Sequence, residues 1–307
     1  MTRTAFVFPG QGSQAPGMLG DLAADFPVIT ETFQQASDAL GYDLWDLVQN
    51  DTEGKLNETH ITQPALLTAS VAIWRVLNEK GVKADYMAGH SLGEYSALVC
   101  AGVLDFADAV KLVEARGKFM QQAVPAGAGA MYAIIGLDDA TIADICQQTA
   151  IATGDVVAPV NYNSPGQVVI AGEKNATEQA GNACKEAGAK RALPLPVSVP
   201  SHCELMRPAA DQLEEALASI TLNAPTTAVI NNVDVKAEDD PARIRDALIR
   251  QLYCPVQWTA SVETLASEGI QNVLEIGPGK VLTGLIKRID KSLTASAVNT
   301  VDSINAL

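Results

Sequence analysis

The stretch MAGHSLGEYSALVCAG, Met87 to Gly102, decides the fold. Apolar and small residues flank a Gly89-His90-Ser91-Leu92-Gly93 core, and the text then turns helical. The pentapeptide has the G-x-S-x-G spacing of a serine on a sharp strand-to-helix turn. Such a serine takes strained dihedrals, and small neighbours let strand and helix pack closely. Its hydroxyl then projects above a sheet at a helix N-terminus, where free N–H groups and the helix dipole favour an oxyanion. The bland alternative is a glycine-rich strand end that happens to contain serine.

Working outward, Thr4–Phe8 reads as a buried strand ended by PGQGSQAPG. Residues 21–79 have helical period, with breaks at Gly41 and at 50–54. ADYMAGHS (84–91) is the second strand, a helix starts at Leu92, and another follows Asp105, a plausible N-cap. Strand and helix alternate without hairpin signals, which calls for a parallel sheet wrapped by helices. The middle third changes rhythm: strand 131–137, helix 138–150, strands 155–163 and 166–173 joined by Ser-Pro, helix 175–188, strand 190–197. That order is βαββαβ, the ferredoxin-like unit. After Pro200 the first rhythm resumes, with strands in 226–233, 272–279 and 293–299. The expected fold class is α/β: an α/β-hydrolase-like parallel-sheet domain with an inserted ferredoxin-like subdomain. The expected bounds are 1–124 and 200–307 for the catalytic domain and 125–199 for the insert.

Composition agrees. Of 307 residues 48% are hydrophobic but only 5% aromatic, so the core is aliphatic. No apolar run approaches the ~20 residues of a membrane span, and the N-terminus is too strand-like for a secretory signal; a cytoplasmic protein is expected. Cysteines at 100, 146, 184, 203 and 254 form no CxxC pair, which argues against disulfides and zinc. Net charge is −15; that field repels nucleic acid and acidic membranes, so neither is an expected partner. An acidic partner would need a local basic patch, for which Lys190-Arg191 and Lys287-Arg288 are the visible seeds; solvated surface pairs are the plain alternative. Nothing resembles a dinucleotide, phosphate-loop or metal pattern, so no cofactor and no metal are expected.

A serine nucleophile needs a base, and the chain has three histidines. His90 adjoins Ser91 on a strand end, and neighbouring side chains point to opposite faces. His60 precedes the serine and His202 follows it; elbow enzymes place the histidine after the serine, which favours His202. An exposed histidine at a helix start, capped by Ser201, is the alternative for His202. No acid stands out as a third member. A neutral carbonyl can also fix the histidine tautomer, and polar candidates lie in 250–258. Arg116 stands out by period: in a helix over 106–120 it falls on the apolar arc with Ala109 and Leu112. A guanidinium there is costly unless paired, so it either meets an anionic substrate group or snorkels. PGQGSQ could bring a second donor near the elbow.

With these residues in hand the chain resembles the malonyl-CoA:acyl carrier protein transacylases of bacterial type II fatty acid synthesis. The resemblance covers essentially the whole chain. It rests on FPGQGSQ (8–14), TQPAL (62–66), GHSLGEYSAL (89–98), RGKFMQ (116–121), NYNSPGQVVIAG (161–172), PVSVPSHC (196–203), QLYCPVQW (251–258) and EIGPGKVLTGLIKR (275–288). It implies Ser91 as malonyl-accepting nucleophile and His202 as base and then acid. It further implies a backbone carbonyl from Gln251 on His202, and an oxyanion hole from the N–H groups of Gln11 and Leu92. Arg116 would hold the malonyl carboxylate with Gln63 beside it, and Asn161 and Asn163 would contact pantetheine. Malonyl-CoA and acyl carrier protein are the implied partners. A serine esterase or thioesterase, and a carrier-binding scaffold with a dead site, are the rival readings.

Overall fold

The computed structural model describes residues 2–197 and 199–307; Met1 and Ser198 lie outside the described residues. The first strand is β1 (Thr4–Phe8), apolar and buried from Ala5 onward, as a strand covered on both faces requires. The helical stretch that follows is α1 (Gly20–Asp25), α2 (Pro27–Leu40), α3 (Leu44–Asn50) and α4 (Thr59–Glu79). Gly41 ends α2 in the left-handed region, as expected. The additional break falls before Pro27, which occupies the first position of α2, where its missing N–H costs no helical hydrogen bond.

β2 (Tyr86–Gly89) leads through Ser91 into α5 (Leu92–Cys100), and Asp105 caps α6 (Phe106–Ala123) by accepting from the Asp108 N–H. β3 (Gly129–Ile135), α7 (Asp139–Thr153), β4 (Val157–Ser164), β5 (Gln167–Glu173), α8 (Lys174–Glu186) and β6 (Arg191–Pro194) form the βαββαβ block. Its sheet has the order β4-β5-β3-β6 and is antiparallel at every pairing. The chain closes with α9 (Arg207–Ala218), β7 (Ala228–Ile230), α10 (Pro241–Gln251), α11 (Trp258–Ser267), β8 (Asn272–Ile276), α12 (Val281–Ile289), β9 (Thr294–Val298) and α13 (Val301–Asn305). β7-β2-β1-β8-β9 make a five-stranded parallel sheet. The expected α/β class, with a parallel sheet and a small antiparallel one, is therefore observed.

Two strands are shorter than expected. Within residues 190–197 the strand proper is Arg191–Pro194, flanked by single backbone bonds from Lys190 N to Ile135 O and from Leu195 N to Met131 O, and Pro196 has no N–H to extend it. β7 keeps three residues, those facing Tyr86–Ala88 at the sheet edge. A third difference bears on the site: Ser201 caps no helix. His202 sits in a turn with φ 63°, and the short 3-10 turn Glu204–Met206 begins after Cys203.

Candidate active site

The elbow is built by close backbone approach. Ser91 has φ 52° and ψ −111°, outside the favoured regions. A Cβ on Gly89 would overlap the Gly93 backbone, and one on Gly93 would overlap the Phe8 carbonyl, so both glycines of the pentapeptide are sterically required. Gly10 packs as tightly on the His90 carbonyl, which brings the 9–14 loop to the elbow and places Gln11 on the wall of the adjoining cavity.

That cavity, about 580 Å³, lies between the two sheets, with Ser91, His202, Arg116, Gln63, Asn161 and Asn163 among its lining residues. Ser91 Oγ is 2.8 Å from His202 Nε2, and His202 Nδ1 is 2.6 Å from the Gln251 carbonyl oxygen. A carbonyl only accepts, so Nδ1 carries the proton and Nε2 accepts from the serine hydroxyl. His202 is 3% exposed. Burial, and then the nearby Arg116 charge, push its pKa down to about 3, so the ring is neutral and free to take a proton.

The other two histidines stand elsewhere. His90 points away from the Ser91 hydroxyl and bonds Asn163 Oδ1 through Nε2 at 2.7 Å. His60 bonds Gln121 through Nδ1 at 3.0 Å, in the first turn of α4. The choice between His60 and His202 therefore falls to His202.

Arg116 is 1% exposed, so it does not snorkel. Nη1 donates to Gln63 Oε1 at 2.7 Å, and Nη2 donates to Gln251 Oε1 at 2.9 Å and lies 3.4 Å from Ser91 Oγ. The guanidinium stands over the Tyr95 ring at 5.3 Å. Among the described residues no carboxylate bonds it, and its Nε has no partner. Burial holds it below its ordinary basicity, yet arginine stays charged in proteins. The site thus presents a cation with neutral neighbours beside a nucleophile, an arrangement that accepts an anionic acyl chain.

The N–H groups of Gln11 and Leu92 donate to no protein acceptor among the described residues, so both are free for an oxyanion. Asn161, 6% exposed, presents its amide to the cavity from β4.

Two residues escaped the sequence reading. Asn232 spans the elbow: its Oδ1 accepts from Ser91 N at 2.8 Å and its Nδ2 donates to the Gly89 carbonyl at 2.7 Å. Glu94, 2% exposed on α5, accepts from Asn232 N at 3.0 Å and Gln251 Nε2 at 2.9 Å. A lone acid in the apolar text LGEYSALVC is the same kind of signal that marks Arg116.

With an α/β fold and a serine elbow paired to histidine, the class is that of acyl-transfer proteins. The chain belongs to the acyl transferase family, whose domain model matches residues 5–304. It is 66% identical over 307 residues to a malonyl CoA-acyl carrier protein transacylase of Salmonella typhimurium, covering 100% of this chain and 99% of the relative. The Escherichia coli protein of the same name is 68% identical over 300 residues, 97% of this chain and 96% of that one. Among solved structures, an acyl carrier protein S-malonyltransferase from Vibrio cholerae superimposes with a TM-score of 0.97 at 64% identity, covering 99% of each chain. A malonyl-transacylase solved in complex with its type II PKS acyl-carrier protein gives 0.97 at 62% identity, over 99% of this chain and 98% of that one.

Proposed function

We propose that the protein transfers the malonyl group from malonyl-CoA to the thiol of acyl carrier protein through a malonyl ester on Ser91, supplying fatty acid elongation. The observation that carries this reading is the buried Arg116, whose Nη2 lies 3.4 Å from the Ser91 hydroxyl. Among acyl groups of similar size, one with a terminal carboxylate is the one this cation selects. The relatives' names point the same way.

In the first half-reaction His202 Nε2 takes the hydroxyl proton as Ser91 Oγ attacks the thioester carbon. Gln11 and Leu92 N–H groups hold the oxyanion. The C–S bond then breaks, the sulfur leaves with the proton from His202, and the malonyl ester remains. In the second, the carrier thiol gives its proton to His202 and attacks the ester carbon, and Ser91 recovers the proton. The Gln251 carbonyl keeps the ring in one tautomer throughout. A malonyl carboxylate paired with Arg116 also offsets the Arg116 charge, the second-largest cause that depresses His202 after burial, so the correct substrate strengthens its own base. Gln63 holds Arg116 in place, and Asn161 and Asn163 face the pantetheine arm. No metal or cofactor enters these steps.

The reading includes a catalytic unit of 1–124 and 200–307 with an inserted unit of 125–199, supported by the segregation of strands into two unshared sheets. It includes docking of the carrier on Lys190-Arg191 and Lys287-Arg288. It includes a cytoplasmic location, with which the lack of any membrane-length apolar helix among the described residues is compatible.

The test is an intact mass after exposure to malonyl-CoA alone. A malonyl adduct on wild type that is absent from Ser91→Ala supports transfer. Free malonate with no adduct supports hydrolysis, and neither product supports a binding scaffold.

A further inference from the structure

Glu94 is buried behind the catalytic face, and the reaction as written does not use it. Its Oε2 accepts from the Gln251 amide nitrogen at 2.9 Å, while the amide oxygen of the same side chain accepts from Arg116 at 2.9 Å. One amide therefore joins a buried acid to a buried base. This fixes the Gln251 flip, because the carboxylate can only accept and the guanidinium can only donate. On its other side Glu94 lines a second cavity of about 10 Å³, with Leu98, Val229, Asn231, Glu238 and Ile244. That is the room of a single water, and Asn231 Nδ2 on its wall has no partner among the described residues. Glu238, at its rim, has a side chain 18% exposed. Glu94 and the partly exposed Glu238 thus border the same small cavity, which Ser91 does not line.

We propose that Glu94 is the internal counter-charge of Arg116, and that it takes up a proton through this rear cavity when a carboxylate-bearing acyl group docks on Arg116. The inference rests on the malonyl reading above. Its logic is charge conservation in a dry site. Before docking, Arg116 is balanced by the Glu94 carboxylate across one amide. After docking, the acyl carboxylate balances Arg116, and a second buried anion would be uncompensated. A proton from solvent neutralises Glu94 and returns when the acyl group leaves. Burial already pushes the Glu94 pKa up to about 7, so either state is within reach near neutral pH.

The surroundings leave Glu94 as the responding group. Arg116 on α6 is permanently charged. Asp234, after β7, is held by Arg250 of α10 at 2.7 Å. Glu238 lies 3.6 Å from Arg243. Across Gln251, His202 is neutral above its depressed pKa, and His90 is likewise lowered by burial. Glu94 is therefore a positioning and specificity residue: it acts through Gln251 and Arg116, without touching the acyl group.

The experiment compares kcat/KM for acylation by malonyl-CoA and by acetyl-CoA from pH 5.5 to 8.5, in wild type and Glu94→Gln. The acetyl control cancels the contribution of the CoA thiol, and free His202, with its pKa pushed down to about 3, stays neutral across this range. In wild type the malonyl-to-acetyl ratio should fall on the order of tenfold as pH rises through 7, a coupling of ordinary size; in Glu94→Gln it should be flat. Should that variant fail to fold, titration calorimetry of Ser91→Ala in buffers of different ionisation enthalpy gives the proton count directly. A tenfold coupling corresponds to uptake of roughly half a proton per malonyl-CoA between pH 7 and 8, and none per acetyl-CoA is expected. A flat ratio in wild type, an unchanged slope in Glu94→Gln, or equal proton counts for the two ligands would overturn the proposal. Intact mass on the same wild-type samples separates the two failures. A malonyl adduct with a flat ratio removes only the role of Glu94, whereas no adduct removes the malonyl reading itself.

Discussion

His202 and Gln251 meet through a peptide group: Nδ1 of the ring stands 2.6 Å from the Gln251 main-chain oxygen. The side chain of the same glutamine faces the other way, toward Arg116 and Glu94. One residue therefore orients the base with its backbone and the acyl-selecting cation with its amide. Gln251→Ala keeps the carbonyl on His202 but deletes the amide contacts to Arg116 and Glu94, and with them one to the Ser91 carbonyl at 3.1 Å. We expect His202→Ala to lower acylation by either acyl-CoA by about 10²–10⁴-fold, the range of general acid–base catalysis. Gln251→Ala should cost far less with acetyl-CoA than with malonyl-CoA. Single-turnover acylation measures both, and a Gln251→Ala loss with acetyl-CoA as large as that of His202→Ala would sink the division of labour.

Arg116 should carry the distinction between malonyl and acetyl. A guanidinium meets a carboxylate with two parallel hydrogen bonds, which lysine cannot copy. Removing one partner of such a pair costs on the order of 2–5 kcal/mol, or roughly 30- to several-thousand-fold in malonyl transfer. Acetyl transfer by Arg116→Ala should hold or rise, because an acetyl group has no carboxylate and so loses no ion pair in the variant. Equal losses with both acyl groups, in a protein whose thermal midpoint is unchanged, would move carboxylate recognition elsewhere.

The buried histidine also sets a stability slope. The folded pKa of His202, about 3, lies below its ordinary 6.5, so the unfolded chain binds the extra proton between those values. The stability tied to the neutral ring is complete above pH 6.5 and is lost as pH falls toward 3. Glu94 has the opposite sign: its folded pKa, about 7, exceeds its ordinary 4.5, so its contribution is present below 4.5 and lost as pH rises through 7. Urea midpoints at pH 7.5 and pH 5 should show His202→Gln gaining on wild type at the lower pH. Glu94→Gln should gain on wild type at the higher one. Gaps independent of pH would contradict the buried, shifted groups.

The two basic pairs lie at one end of the antiparallel sheet. Arg191 and Gln167 flank Ile135 on either side of β3, and Arg288 Nη1 donates to Gln167 Oε1 at 2.8 Å. On a chain of net charge −15 this is a local positive cluster. Reversing either pair to glutamate should slow transfer to the carrier by roughly tenfold, through association, and added salt should slow wild type in the same step. Acylation by malonyl-CoA should be unchanged. Carrier rates equal to wild type in both variants would take these pairs out of the interface.

What the sequence determined by itself is what local physics writes into adjacent residues. The elbow is legible because two glycines must flank a strained serine, and the two sheets because strand and helix periods alternate in distinct orders. Arg116 is legible because a charge on an apolar arc needs a reason. Strand ends were not, since β6 and β7 stop where proline or the lack of a paired neighbour stops them. Chain order already favoured His202 over His60, but the contact that brings it to Ser91, across 111 residues, is a tertiary one. The carbonyl of Gln251 was reached only through the family resemblance, because every residue carries a carbonyl and no side-chain type marks which one meets the ring. Tertiary structure alone joined Glu94 to Gln251 across 157 residues, where only the packing of α10 against the elbow sets the distance that makes this acid a partner.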